Sequence, residues 1–273
     1  MPELKKVMPQ SAANKNSSIF VFFALVIVLS IPFWVLGGLT GIQLLPGLPI
    51  DTFMVVCPVL AACILIYKEN GKQGVIRLLK YGVDIKSVNP KGWYSIAFLL
   101  MPLVSVFVFF WLHLEGTMVP DPEINAFQIF SYIILFFAGA LGEELGWTGY
   151  LTDPLLRRFG ALNTSIIIGL FWAAYHWIAL IQVGRPLEWI AWWSIGTIVL
   201  RVILIWLYSN SGRSIFIATL FHMTINLTWQ LFPVNGSYYS PSKTSLILLI
   251  ITVCIVLYYG PRTLTRERKT IKR

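Results

Sequence analysis

Residues 125–150 read NAFQIFSYIILFFAGALGEELGWTGY, an uncharged and largely apolar run that ends in two adjacent glutamates, Glu143 and Glu144. About 20 such residues cross the roughly 30 Å hydrocarbon core of a bilayer as one helix. Working outward, comparable runs recur near 18–40, 51–67, 93–113, 161–181, 188–209, 213–231 and 244–260. The spacing predicts an all-α, polytopic membrane helix bundle of eight spans with no soluble second domain. Composition agrees: 57% of the chain is hydrophobic and 12% charged, against about 25% charged in soluble domains. The first run is too long for a signal-peptide core and reads as an uncleaved span. Cys57, Cys63 and Cys254 lie inside apolar runs without a CxxC pair and read as small core residues.

A net charge of +9 suggests nucleic acid until its placement is read. Lys5, Lys6 and Lys15 precede the first span, and Lys68, Lys72, Arg77, Lys80, Lys86 and Lys91 lie between spans two and three. Arg157 and Arg158 follow span four, Arg213 separates six from seven, and Arg262, Arg266, Arg268, Lys269, Lys272 and Arg273 form the tail. All of these fall on one side; the other has Arg185 and Lys243 beside Glu115, Asp121 and Glu123. The positive-inside rule then places both termini in the cytoplasm and leaves no role for nucleic acid. The domain reading is a cytoplasmic tail at 1–17, a membrane domain at 18–260 with its motif-bearing core near 125–230, and a basic cytoplasmic tail at 261–273. The basic stretch 68–92 is expected to lie along the lipid surface. Pro154 is expected to end span four in a surface turn at 152–160. Trp93, Trp111, Trp189, Trp192, Trp193 and Trp229 sit near span ends and read as interfacial belts.

Ionisable groups inside membrane helices are costly and mark functional sites. Here they are Glu143, Glu144, His176, Arg201 and His222, with Asn226 beside the last. His113, at the end of span three, reads as a water-facing cap. His222 and Asn226 are spaced i, i+4 and share a helix face. Glu143 and Glu144 point about 100° apart, so one can serve a reaction while the other holds a neighbouring helix. At 1.5 Å per residue, Glu143 and His222 both lie roughly 12–13 Å from the basic side, and His176 roughly 17–22 Å.

These residues resemble a known family. Gly142 to Leu151 resembles the EExxxR motif of the CAAX-protease and bacteriocin-processing (CPBP, or Abi) intramembrane proteases, Trp172 to His176 its FxxxH motif, and His222 to Asn226 its HxxxN motif. The resemblance covers roughly 125–230 and implies an endopeptidase near the cytoplasmic face. In it Glu143 and His176 activate a water, and His222 with Asn226 stabilise the oxyanion. Its substrates are membrane-associated peptides or proteins, lipid-modified ones included, and a bacterial plasma membrane is the working location. Two positions depart from the pattern. Trp172 replaces phenylalanine, a change of aromatic. Thr148 stands where arginine is called for, leaving Glu144 without its usual partner; Arg201 is expected to supply the missing charge. Four rival readings stay open: polar residues as interhelical glue, a divalent metal such as zinc on Glu143, His176 and His222, an inactive scaffold or bacteriocin-immunity member, and transport. The absence of paired discontinuous helices weighs against the last.

Overall fold

The computed structural model describes residues 16–121, 125–232 and 239–266. The expected basic residues at 5, 6, 15, 268, 269, 272 and 273, and Glu123, lie outside them. Within them the chain forms α1 (Asn16–Thr40), α2 (Cys57–Gly82), α3 (Trp93–Leu114), α4 (Ala126–Glu144), α5 (Asp153–Phe159), α6 (Ala161–Gln182), α7 (Leu187–Asn210), α8 (Ile215–Leu231) and α9 (Pro241–Tyr259). A 3₁₀ segment, Ile50–Val56, leads into α2, and a π-helical segment, Leu145–Thr152, joins α4 to α5. Among the described residues seven helical stretches are long and apolar enough to cross a membrane. The protein is an all-α, multi-pass membrane bundle.

The eighth expected span is α8, a shorter apolar helix of 17 residues, about 26 Å long at 1.5 Å per residue. Its side chains from Ile215 to Thr224 are almost all buried, so neighbouring helices rather than lipid surround it. Its chief partners are α4 and α3. At the far end from the basic loops a small antiparallel hairpin (β1, Gln43–Leu45; β2, Leu48–Pro49) turns at Gly47, whose φ of 74° favours glycine. Leu45 and Leu48 pack with Tyr132, Phe136, Met223 and Leu227 of α4 and α8, and Gln230 donates to the Pro46 carbonyl at 3.3 Å. The sequence reading had no strand there.

Two expected breaks resolve differently. The 68–92 stretch is helical to residue 82, broken at Gly71 (φ 60°). Beyond the break Lys72, Arg77 and Lys80 are exposed and Leu78 is fully buried, which is the amphipathic pattern the sequence carried. Residues 152–160 are not a surface turn. The chain keeps winding: a π-helical stretch, then α5 with Pro154 in its first turn. Proline is tolerated there because the first-turn N–H groups have no intrahelical partner. The Thr152 hydroxyl donates to the Trp147 carbonyl five residues back at 2.8 Å, and Leu155 is buried.

Gly142 and Gly146, one turn apart on one face, bring this helix against the start of α2. A Cβ on Gly142 would stand 2.8 Å from the Val55 carbonyl oxygen, and one on Gly146 2.6 Å from the Pro58 backbone. Small residues at such spacing let helix backbones approach closely in a membrane. With that face turned to α2, Glu143 and Glu144 point inward. Gly169 does the same for α6 and α7, standing 2.8 Å from the Ile198 Cα and 3.3 Å from the Arg201 Cβ in the same sense. It seats Arg201 one turn from Trp172.

Candidate active site

Glu143 lies at the end of α4 and is 2% exposed. Its Oε1 accepts from the Trp172 indole of α6 at 3.2 Å and from the Trp147 indole at 3.4 Å. Its Oε2 lies 3.3 Å from His222 Nε2 on α8. Trp147 is itself wedged between Phe22, Phe171 and Tyr175, with ring centroids 5.6–6.0 Å away. The donors that hold the carboxylate are thus held by packing.

Glu144 is fully buried. Oε1 lies 3.0 Å from His222 Nδ1, and Oε2 accepts from Arg201 Nη1 at 3.0 Å and from the Thr148 hydroxyl. The expected replacement of the motif arginine by Arg201 is therefore present. Arg201 is fully buried, and its guanidinium carbon stands 4.2 Å from the Trp172 ring centroid. Its Nε and Nη2 find no acceptor among the described residues, so Glu144 and the Trp172 face are what hold this cation.

Glu143 meets His222 directly, a contact the motif spacing does not specify. The two glutamates, turned apart by the helical repeat, reach opposite nitrogens of one imidazole. Both ring nitrogens face carboxylate oxygens, so Glu143 holds one edge of the His222 ring and Glu144 the other. His176 is half-buried, and its Nδ1 lies 2.8 Å from the Trp172 carbonyl oxygen one turn back. A carbonyl only accepts, so Nδ1 carries the proton and Nε2 of the neutral ring is left as an acceptor. His176 packs against Tyr175 and Trp193, with centroids 5.3 and 5.4 Å away; Trp193 is therefore more than a belt residue. Asn226 is half-buried and makes no hydrogen bond among the described residues. His113 is exposed and stacks on Phe109, as a cap would.

Trp172 is the residue that sequence reasoning undervalued. Its N–H reaches Glu143, its face takes Arg201, and its edge meets His222 with centroids 4.9 Å apart. Nothing in the sequence announces this except its place in the second motif. Trp147 could have been found from its i, i+4 spacing to Glu143.

Both His222 nitrogens face carboxylates, and among the described residues no three His, Cys, Asp or Glu side chains are grouped so that they could hold a metal ion.

A family model described as "Type II CAAX prenyl endopeptidase Rce1-like" matches residues 125–228, the segment that carries Glu143, Glu144, Trp172, His176, Arg201, His222 and Asn226. Over this segment the chain is similar to the type II CAAX prenyl endopeptidases. Among curated relatives, "CAAX prenyl protease 2" of Methanococcus maripaludis is 26% identical over 241 residues, covering 81% of this chain and 83% of the relative. "Lysostaphin resistance protein A" of Staphylococcus epidermidis is 24% identical over 246 residues, covering 88% of this chain and 61% of that longer protein. These relatives align over most of the bundle, so the likeness extends beyond the three motifs.

Proposed function

We propose that this protein is an intramembrane endopeptidase of the CPBP type in which Glu143 is the general base. One observation supports this most directly: a buried carboxylate is held by two indole N–H donors and lies 3.3 Å from a histidine nitrogen of another helix. In the proposed cycle a water gives one hydrogen towards Glu143 and the other towards the free Nε2 of His176. Its oxygen attacks the peptide carbonyl. The tetrahedral oxyanion is met by the Asn226 amide and by the Nε2–H of His222, which turns from Glu143 once that carboxylate has taken the water's proton; that proton then passes from Glu143 to the departing amine as the C–N bond breaks. Fixed donors at such an oxyanion typically contribute several kcal/mol, about 3–4 for one donor.

His176 and Asn226 are half-buried whereas Glu143, Glu144, Arg201 and His222 are buried. We place the peptide's approach on the His176 and Asn226 side. No step is routed through a metal ion. The substrate class follows the name of the methanococcal relative: prenylated CAAX C-termini, presented at the membrane from the basic, cytoplasmic side.

The test is cleavage by the purified protein in liposomes of a quenched fluorescent peptide ending in a farnesylated CAAX sequence. Glu143→Gln should lower kcat by about 10²–10⁴-fold with the protein still folded; wild-type rates in that variant would sink the mechanism. The staphylococcal relatives, named for lysostaphin resistance, favour a second reading, a role in protection against lysostaphin. A Glu143→Gln protein that still conferred such protection would favour it.

A further inference from the structure

We propose that Trp172 is the positioning residue of this site, and that Trp172, Thr148 and Arg201 form one matched set in place of a phenylalanine and a motif arginine. The proposal rests on the endopeptidase reading above. Its basis is the contact geometry of a single buried side chain. Trp172 makes the shortest hydrogen bond to Glu143 Oε1, 3.2 Å against 3.4 Å from Trp147. The same ring carries the Arg201 guanidinium at 4.2 Å, and Arg201 neutralises Glu144, which in turn fixes His222 Nδ1 at 3.0 Å. The Trp172 carbonyl takes the Nδ1 proton of His176 at 2.8 Å and so sets that ring's tautomer. The indole thus registers Glu143 directly and Glu144 with His222 through Arg201, while the main-chain carbonyl of the same residue orients His176.

The chemistry explains why tryptophan suits this chain. A phenylalanine offers a ring face but no N–H, so it could not bind Glu143. With an arginine on α4 the cation would sit one turn from Glu144 and would need no support from α6. Here the cation comes from α7, and it needs a surface on α6 to lie against. Indole is the best aromatic face for a cation, and the planar guanidinium is the cation best shaped to stack on it. Thr148 completes the exchange: its small hydroxyl donates to Glu144 Oε2 beside Arg201.

Three proteins decide the matter in the liposome cleavage assay: W172F, a variant with benzothienylalanine at position 172, and Glu143→Gln as the reference for lost chemistry. Benzothienylalanine keeps the bicyclic ring and replaces the N–H by sulfur, so it keeps the packing even if W172F folds poorly. Both changes at position 172 should lower kcat about 10- to 100-fold, the scale of a misplaced reacting group, with KM within about two-fold. A benzothienylalanine protein with wild-type kcat would overturn the proposal, because ring shape alone would then suffice. A change confined to KM would overturn it as well. If wild type and Glu143→Gln behave alike, the endopeptidase reading falls first and takes this inference with it.

Discussion

Removing Arg201 alone should destabilise the protein far more than removing it together with the charge it neutralises. The guanidinium and the Glu144 carboxylate are both fully buried, 3.0 Å apart. Arg201→Met keeps an apolar stem of similar length but leaves Glu144 with only His222 and Thr148 as donors, and it discards the contact with the Trp172 ring. Breaking one side of a buried pair costs about 3–5 kcal/mol because the remaining charge is uncompensated. At roughly 2–4 °C per kcal/mol for a chain of this size class, the unfolding midpoint should fall by roughly 6–20 °C. In the double variant Arg201→Met with Glu144→Gln the uncompensated charge is gone, while the Gln Oε1 still accepts from His222. It should recover most of the loss, since replacing a buried pair by neutral groups is often close to neutral. A thiol-reactive fluorophore suits the measurement on a Cys254→Ser background, because Cys57 is buried and becomes reactive on unfolding, whereas Cys254, expected in the core, is exposed in the folded protein. A single variant within about 2 °C of wild type, or a double variant no more stable than the single, would refute the reasoning.

The glycines of the α4 face give a paired test: Gly146→Ala places a Cβ 2.6 Å from the Pro58 backbone and should cost about 1–3 kcal/mol. Gly139→Ala meets nothing nearer than 3.8 Å, so it should be neutral or stabilising by up to about 1 kcal/mol, and equal midpoints for the two variants would contradict the close approach. On the outer side Lys243 Nζ lies 2.7 Å from Glu115, which also accepts from Trp111 at 2.6 Å. Chiefly the Lys243 hydrogen bond, and then that of Trp111, hold the Glu115 carboxyl below its usual value of 4.5. A lowered folded value means the contribution is fully present above about pH 4.5 and is lost as pH falls through the folded value. Wild type should therefore lose more thermal stability than Glu115→Gln between pH 6 and pH 3, and parallel pH curves would show that the clasp contributes nothing.

The fold was largely legible because a bilayer imposes one length on every helix. All eight predicted spans correspond to helices, seven of them long enough to cross a membrane and the eighth, α8, shorter. What escaped has local causes. The π-helical stretch 145–152 carries no compositional mark, and Pro154 was read as a stop when it stands in the first turn of a new helix. The hairpin at 43–49 is held by side chains of α4 and α8 that are remote in sequence. At the site, Arg201 was legible since a lone cation in an apolar run must find an anion. The pairing of histidines was not. Spacing fixes which face a residue occupies, but His176 turns back onto its own helix at the Trp172 carbonyl, a rotamer choice that no motif encodes.

The helical repeat that seemed to separate the two glutamates is what lets one imidazole join them. Turned about 100° apart, they cannot converge on one atom, but the two nitrogens of His222 lie on opposite edges of its ring. Each carboxylate takes one edge. Glu144 is then fixed on its far side by Arg201 and Thr148, and Glu143 by two indoles. The ring is clamped at both ends by groups that are themselves clamped, in a region where water is scarce and reorganisation costly. What the family pattern asks for at position 148 is, on this account, a positive charge at one point in space beside Glu144. That point can be reached from α4 or from α7. Reaching it from α7 passes the guanidinium across residue 172, which ties the two departures from the motif together: Thr148 makes Arg201 necessary, and Arg201 gives the indole face of Trp172 its second task.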